Sequence, residues 1–152
     1  MVSRKIKNLL VIGGANGIGK EAVSFFKKKN YKILVLDIED EKIMKNINYL
    51  KFDISKIQEH KKILQTVSKK IKKIDCVINF ARAGQRKDIK AENLENWNKT
   101  MNVNLTGSFF FIRELISENI NKKLKFNIIN ISSIASKFTT RESPSYHISK
   151  AG

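Results

Sequence analysis

This sequence predicts an α/β chain wound on both faces of a parallel sheet, on three observations. Short, branched apolar runs recur at Leu9 to Ile12, Lys32 to Asp37, Asn48 to Asp53, Asp75 to Phe80 and Phe126 to Ser133. Helix-spaced apolar residues separate them, in connections long enough for the crossovers that parallel strands require. Polar residues stand at the ends of the runs, where the ligands of such sheets bind. A length of 152 residues suits one domain, 1–152, with a core of its own.

The first unit is "LLVIGGANGIGK", Leu9 to Lys20. A buried strand runs into Gly13, Gly14, Gly17 and Gly19, and the spacing of Ile18, Ala22, Phe25 and Phe26 then starts a helix. A bare turn entering a helix offers free N–H groups and the positive end of the helix dipole to a pyrophosphate. The loop reads G-x-x-x-G-x-G rather than G-x-G-x-x-G, so a tight glycine turn without a ligand stays open on the loop alone. Further on, Ile57, Leu64, Val67 and Ile71 mark a second helix, and Trp97, Met101, Leu105, Phe109, Ile112 and Ile116 a long third one.

Charge and composition limit the function classes. Lys and Arg number 30 against 14 Asp and Glu, a net charge of +16. Only five of these cations are arginines, and the lysines gather on helix faces such as "EHKKILQTVSKKIKKI". Phe25, Phe26, Phe109 and Phe111 stand in apolar surroundings that predict burial, not the exposed aromatics of a base-reading surface. Solvated lysine faces therefore explain the basicity, with no specific nucleic-acid site. The lone Cys76 lies in an apolar run and reads as a buried thiol. No apolar run approaches the roughly 18 residues of a membrane span. The basic start, Arg4, Lys5 and Lys7, resembles a signal peptide, but its apolar segment is short and enters the glycine loop directly, which predicts a cytoplasmic protein.

Asp37 stands 18 residues after Gly19, close to the spacing at which an acid receives a ribose 2′-hydroxyl. Its charge opposes a 2′-phosphate and Asn16 offers no cation to offset it, so NAD is favoured over NADP; a plain turn former is the alternative reading of this aspartate. Asp53, Asn79, Ser132 and Ser133 end the later strands. In "SPSYHISKAG", Tyr146 and Lys150 are one helical turn apart, and an ammonium beside a phenol favours the phenolate needed for proton transfer. His147 points to a different helix face and is no participant.

With these motifs in order along the chain, the sequence resembles the N-terminal part of the classical short-chain dehydrogenases/reductases, which implies a Rossmann-like, three-layer αβα fold. The loop resembles T-G-x-x-x-G-x-G with Ile12 in the threonine position, and Gly13, Asn16, Gly17, Ile18 and Gly19 would meet the cofactor. Asp53 resembles the acid at the adenine ring, and "NFARAG", opening on Asn79, resembles N-N-A-G with Phe80 and Arg82 as departures, the loop re-formed by Gly84. Asn104 matches the residue that kinks the long helix and holds a water in the proton relay, and Ser133 the catalytic serine, 13 residues before the tyrosine. The resemblance implies hydride transfer between NAD and a small carbonyl or secondary alcohol. Tyr146 would exchange the proton, Ser133 polarise the oxygen and Lys150 hold the nicotinamide ribose, with no metal; Ser132 has no such role. A full-length member would be a homo-oligomer.

The chain ends two residues after Lys150, before the family's last strands and substrate loop. This predicts a short last helix without packing partners in the chain, an open edge at the last strand, and, as an alternative function, a remnant that binds dinucleotide without turnover.

Overall fold

A computed structural model describes residues 7–40, 46–85, 87–121, 123 and 125–152; the basic segment holding Arg4 and Lys5 lies outside them. Five strands form one sheet: β1 (Asn8–Ile12), β2 (Lys32–Asp37), β3 (Asn48–Lys51), β4 (Cys76–Asn79) and β5 (Asn127–Asn130). The order is β3-β2-β1-β4-β5 and every pairing is parallel, with Leu10 opposite Leu34 on one side and Val77 on the other. β3, β4 and β5 are shorter than the apolar runs suggest. Past their ends Phe80 and Ile131 each donate one last bond, to the Ile12 and Asn79 carbonyls, and Asp53, Phe80 and Ile131 to Ser133 line the cavity above the sheet.

Period-two alternation divides the core. Leu10, Ile12, Leu34 and Leu36 face α2 (His60–Lys70) through Leu64 and Val67, and α4 (Ser108–Asn121) through Phe111 and Leu115. Leu9, Val11, Ile33 and Val35 face the other way, onto Val23 of α1 (Gly17–Lys28). Helices on both faces produce the three-layer αβα arrangement.

The helix predicted from Ile57 begins as a 3₁₀ turn, becomes α-helical at His60, and ends before Ile71, which is extended. The long helix is α3 (Leu94–Met101), a π turn over Asn102–Gly107, and α4. The π turn brings Gly107 against the carbonyl of Ile54 so closely that a Cβ there would collide with it. Three burial expectations, for Phe25, Phe109 and Cys76, need correction. Phe111 is buried and Phe26 half-buried, but Phe25 and Phe109 are 55% and 61% exposed. Phe25 sits on the solvent side of α1, edge-on to Phe26 and under Lys29, while Phe109 faces a groove beside β5. Cys76 is half-buried, and burial raises its thiol pKa. Ile18, in the first turn of α1, is 75% exposed at the cavity wall.

The last helix, α5 (Pro144–Ala151), also differs from expectation. It packs on α3 and the π turn through buried Ser145 and Ser149, so it has partners within the chain. The outer edge of β5 carries no strand among the described residues, and Ile129 on β5 is 44% exposed.

Candidate active site

A cavity of about 750 Å³ lies above the carboxyl ends of the strands, where the order β2-β1-β4 reverses the direction of winding. One wall is the glycine loop. Gly13 has φ +75°, and a Cβ there would stand 2.6 Å from the Ala81 nitrogen. Gly19 is tighter still, since its Cβ would run into the Gly13 carbonyl oxygen. Asn16 is extended and its side chain does not cap α1, so the first-turn N–H groups remain available at the cavity. Such a cradle, too narrow for side chains and rich in donors, fits a dinucleotide pyrophosphate.

The acids predicted at the strand ends are at this cavity. Asp37 accepts a hydrogen bond from the Ala15 N–H at 2.8 Å through Oδ2 and from the Glu39 N–H at 3.2 Å through Oδ1. These bonds tie β2 to the glycine loop and leave lone pairs for a ribose hydroxyl. Asp53 takes the N–H and hydroxyl of Ser55 on Oδ1 and lines the cavity.

Asn79 behaves differently from the other predicted cofactor residues. It is buried, receives the Ala81 N–H on Oδ1 at 3.1 Å and donates to Ser108 at 3.0 Å. It lines the groove beside α4 rather than the main cavity, and it acts on the cavity by shaping the segment from Phe80 onward.

The opposite wall is α5 and the segment after β4. Tyr146, Lys150 and Ser133 line the cavity with the glycine loop. The Lys150 ammonium donates to the Ile131 carbonyl at 2.9 Å and stands 5.9 Å from the centre of the Tyr146 ring. Burial, and next the charge of Arg82, pushes its pKa below the usual lysine value. Ser133 accepts the Ala135 N–H at 3.2 Å. Asn104, inside the π turn, grips the Ala83 backbone at both ends: Oδ1 takes its N–H at 2.7 Å and Nδ2 donates to its carbonyl at 2.9 Å. Nδ2 also donates to Ser149 at 2.9 Å, joining α5 to the segment after β4. His147 faces away, with Nδ1 by the Ala135 carbonyl and Nε2 by Thr140.

Sequence reasoning missed the clamp on α5. Glu92 receives the Ser145 hydroxyl at 2.8 Å, its N–H at 3.5 Å and the amide of Asn96. Burial alone raises the Glu92 pKa, but these donors outweigh it and hold the carboxyl below its usual range. Ser143 donates to the Lys87 and Gln85 carbonyls at 2.7 and 3.0 Å, closing a strap across the entrance to α5. An acid and a serine 53 residues apart carry no local signal. Gly84 was legible as a loop former: it has φ +139° and lies so flat on the tyrosine that a Cβ would be 3.0 Å from Tyr146 Cδ2.

Comparison with known proteins agrees with this geometry. The chain is 34% identical over 158 aligned residues to an NAD-dependent glycerol dehydrogenase of Listeria innocua, covering 95% of this chain and 59% of that protein. It is 32% identical over 131 residues to dehydrogenase/reductase SDR family member 6 of Aquarana catesbeiana, covering 86% and 53%. The crystal structure of a 3-oxoacyl-[acyl-carrier protein] reductase from Brucella melitensis in complex with NAD superposes with a TM-score of 0.87 at 30% identity, over 99% of this chain and 64% of that one. The chain thus spans a little over half the length of the curated relatives it matches. The family model for short chain dehydrogenases matches residues 7–152, nearly the whole sequence, and the chain belongs to that family.

Proposed function

We propose that this chain is the dinucleotide-binding domain of an NAD(H)-dependent oxidoreductase that interconverts a small carbonyl compound and its secondary alcohol. One observation carries the reading: Tyr146, Lys150 and Ser133 line the same cavity as the glycine loop, Asp37 and Asp53. When bound, the cofactor supplies or accepts the hydride at the carbonyl carbon. The chain's own residues manage the oxygen. The Tyr146 hydroxyl gives its proton to that oxygen in reduction and takes it back in oxidation. Ser133 donates a hydrogen bond to the same oxygen, and Lys150 keeps positive charge beside the ring while holding the nicotinamide ribose. Asn104 positions α5 and the segment after β4, with Ser149 as the link. Gly13, Asn16, Gly17, Ile18 and Gly19 hold the pyrophosphate, and Asn79 shapes the turn at Ala81. The unpaired Cys76 supports a cytoplasmic protein, and the family supports a homo-oligomer.

NAD is favoured over NADP because the charged side chains at the β2 end of the cavity, Asp37 and Glu39, are both acids. NADH should bind at least about tenfold more tightly than NADPH, a difference of roughly 1.4 kcal/mol, in a fluorescence titration. Equal affinities would remove the ribose role of Asp37. Catalysis is tested by NADH-linked turnover on a carbonyl panel, which Tyr146→Phe should abolish; turnover surviving that substitution overturns the assignment of the proton donor. A second reading, dinucleotide binding without turnover, is supported by the glycine loop and Asp37, which form the binding wall of the cavity independently of α5. NADH binding with no turnover on any of the panel would favour it.

A further inference from the structure

Charges around the main cavity are segregated. Its carboxylates, Asp37, Glu39 and Asp53, follow the ends of β2 and β3. Its cations, Arg82, Lys99 and Lys150, come from the opposite side: the segment after β4, α3 and α5. Among the described residues no carboxylate lines that cationic end.

Arg82 is the informative member. Its guanidinium carbon stands 5.5 Å from the centre of the Tyr146 ring, and one N–H reaches the Gly84 carbonyl at 3.5 Å. The loop conformation that puts it there depends on Gly84, whose φ of +139° a side chain rarely adopts. A guanidinium has five N–H donors in a planar fork; the long bond to Gly84 uses one, and among the described residues Arg82 has no carboxylate partner. Arg82 and Lys150 are like charges beside one tyrosine ring, close enough that Arg82 helps depress the lysine. A bound anion would relieve that repulsion. The pyrophosphate cradle at Gly17–Gly19 is on the other wall, so the cofactor's own anion does not meet this requirement.

We propose that Arg82 determines substrate specificity by pairing its free fork with a carboxylate on the substrate whose carbonyl sits at Tyr146, so that the site prefers oxo acids and the matching hydroxy acids to neutral ketones and alcohols. The inference rests on the oxidoreductase reading above and deepens it. The test uses the full chain and two matched pairs, acetoacetate with methyl acetoacetate and pyruvate with methyl pyruvate. With saturating NADH, kcat/KM for at least one free acid should exceed that for its ester at least tenfold, and Arg82→Gln should bring the ratio near one. Arg82→Lys, a charge without a fork, should fall between. A calorimetric titration of acetoacetate and its ester, which needs no turnover, should show the same dependence on Arg82. Acid binding that depends on Arg82 without any NADH oxidation would overturn the oxidoreductase reading and keep the anion site. Acid-to-ester ratios unchanged by Arg82→Gln in both assays, or a change confined to the NADH-to-NADPH ratio, would overturn the proposal.

Discussion

The two walls of the cavity are held by different physics. The glycine-loop wall stands on β1 and β2, whose inward residues from Leu9 to Ile12 and Ile33 to Leu36 are buried on both faces of the sheet. The α5 wall is held through small polar groups: Ser145 on Glu92, Ser149 on Asn104, and a strap from Ser143 to Lys87 and Gln85. Apolar burial contributes stability in proportion to area, whereas a hydrogen bond contributes about 0.5–1.5 kcal/mol net and its loss leaves a buried group unpaired. The first wall is therefore built for stability and the second for position. The wall bearing Tyr146 and Lys150 should open before the wall bearing Gly13 to Gly19.

Two substitutions break the comparison from either side. The larger effect is expected from Gly19→Ala. The added methyl meets the Gly13 carbonyl, which belongs to backbone anchored on the Leu36 carbonyl, so relief requires moving the loop. Overpacking of this kind costs roughly 1–3 kcal/mol, and NADH affinity should fall at least about tenfold in a fluorescence titration. Unchanged affinity would mean that the loop is not the pyrophosphate cradle. Next comes Glu92→Ala, which strips the acceptor from the buried Ser145 and should cost less, about 0.5–1.5 kcal/mol. The loss should be local. Hydrogen exchange should quicken in α5 and the 141–143 strap while β1 and β2 keep their protection. Equal loss in both walls would show that they form one cooperative unit.

The same contrast explains what the sequence made legible. β2 was readable residue by residue, because a strand covered on both faces must be apolar throughout and its ends are marked by Lys32 and Asp37. The run from Phe126 to Ser133 overstated β5, since apolar character persists through Ile131 after pairing stops at Asn130. Periodicity placed Phe25 and Phe109 on helical stripes but says nothing about whether another element covers the stripe. Tyr146, Lys150, Ser133 and Asn104 were singled out by spacing and resemblance. What holds them was hidden: the acceptor for Ser145 is Glu92, and the cation over the tyrosine ring is Arg82, each joined to α5 only by the fold.

Acid offers the finest division, because the apolar core beneath the first wall and the polar clamp of the second hold shifted groups of different kinds, His60 and Glu92. His60, fully buried against Phe52 and Phe111 beneath the sheet, donates its Nε2–H to the Ile54 carbonyl at 2.8 Å, and among the described residues its Nδ1 has no partner. Burial pushes its pKa below the imidazole value of 6.5, against the smaller opposing pulls of the Ile54 carbonyl and Glu114. The unfolded chain then binds a proton that the folded chain refuses, so stability is full above pH 6.5 and declines as pH falls through the folded-state value. Glu92 is also depressed, from 4.5, so its hold on Ser145 persists above that pH and is lost only in stronger acid. Lowering the pH from 7.5 to 5.5 should therefore reduce the global unfolding free energy while leaving the local opening of α5 nearly unchanged. His60→Gln, which keeps a donor for Ile54 and removes the titration, should flatten the global trend. Denaturant unfolding and hydrogen exchange at the two pH values read the two quantities separately. If α5 loosens in step with global stability and His60→Gln leaves both slopes as they were, the acid sensitivity does not reside in the apolar wall and the division of labour between the walls is wrong.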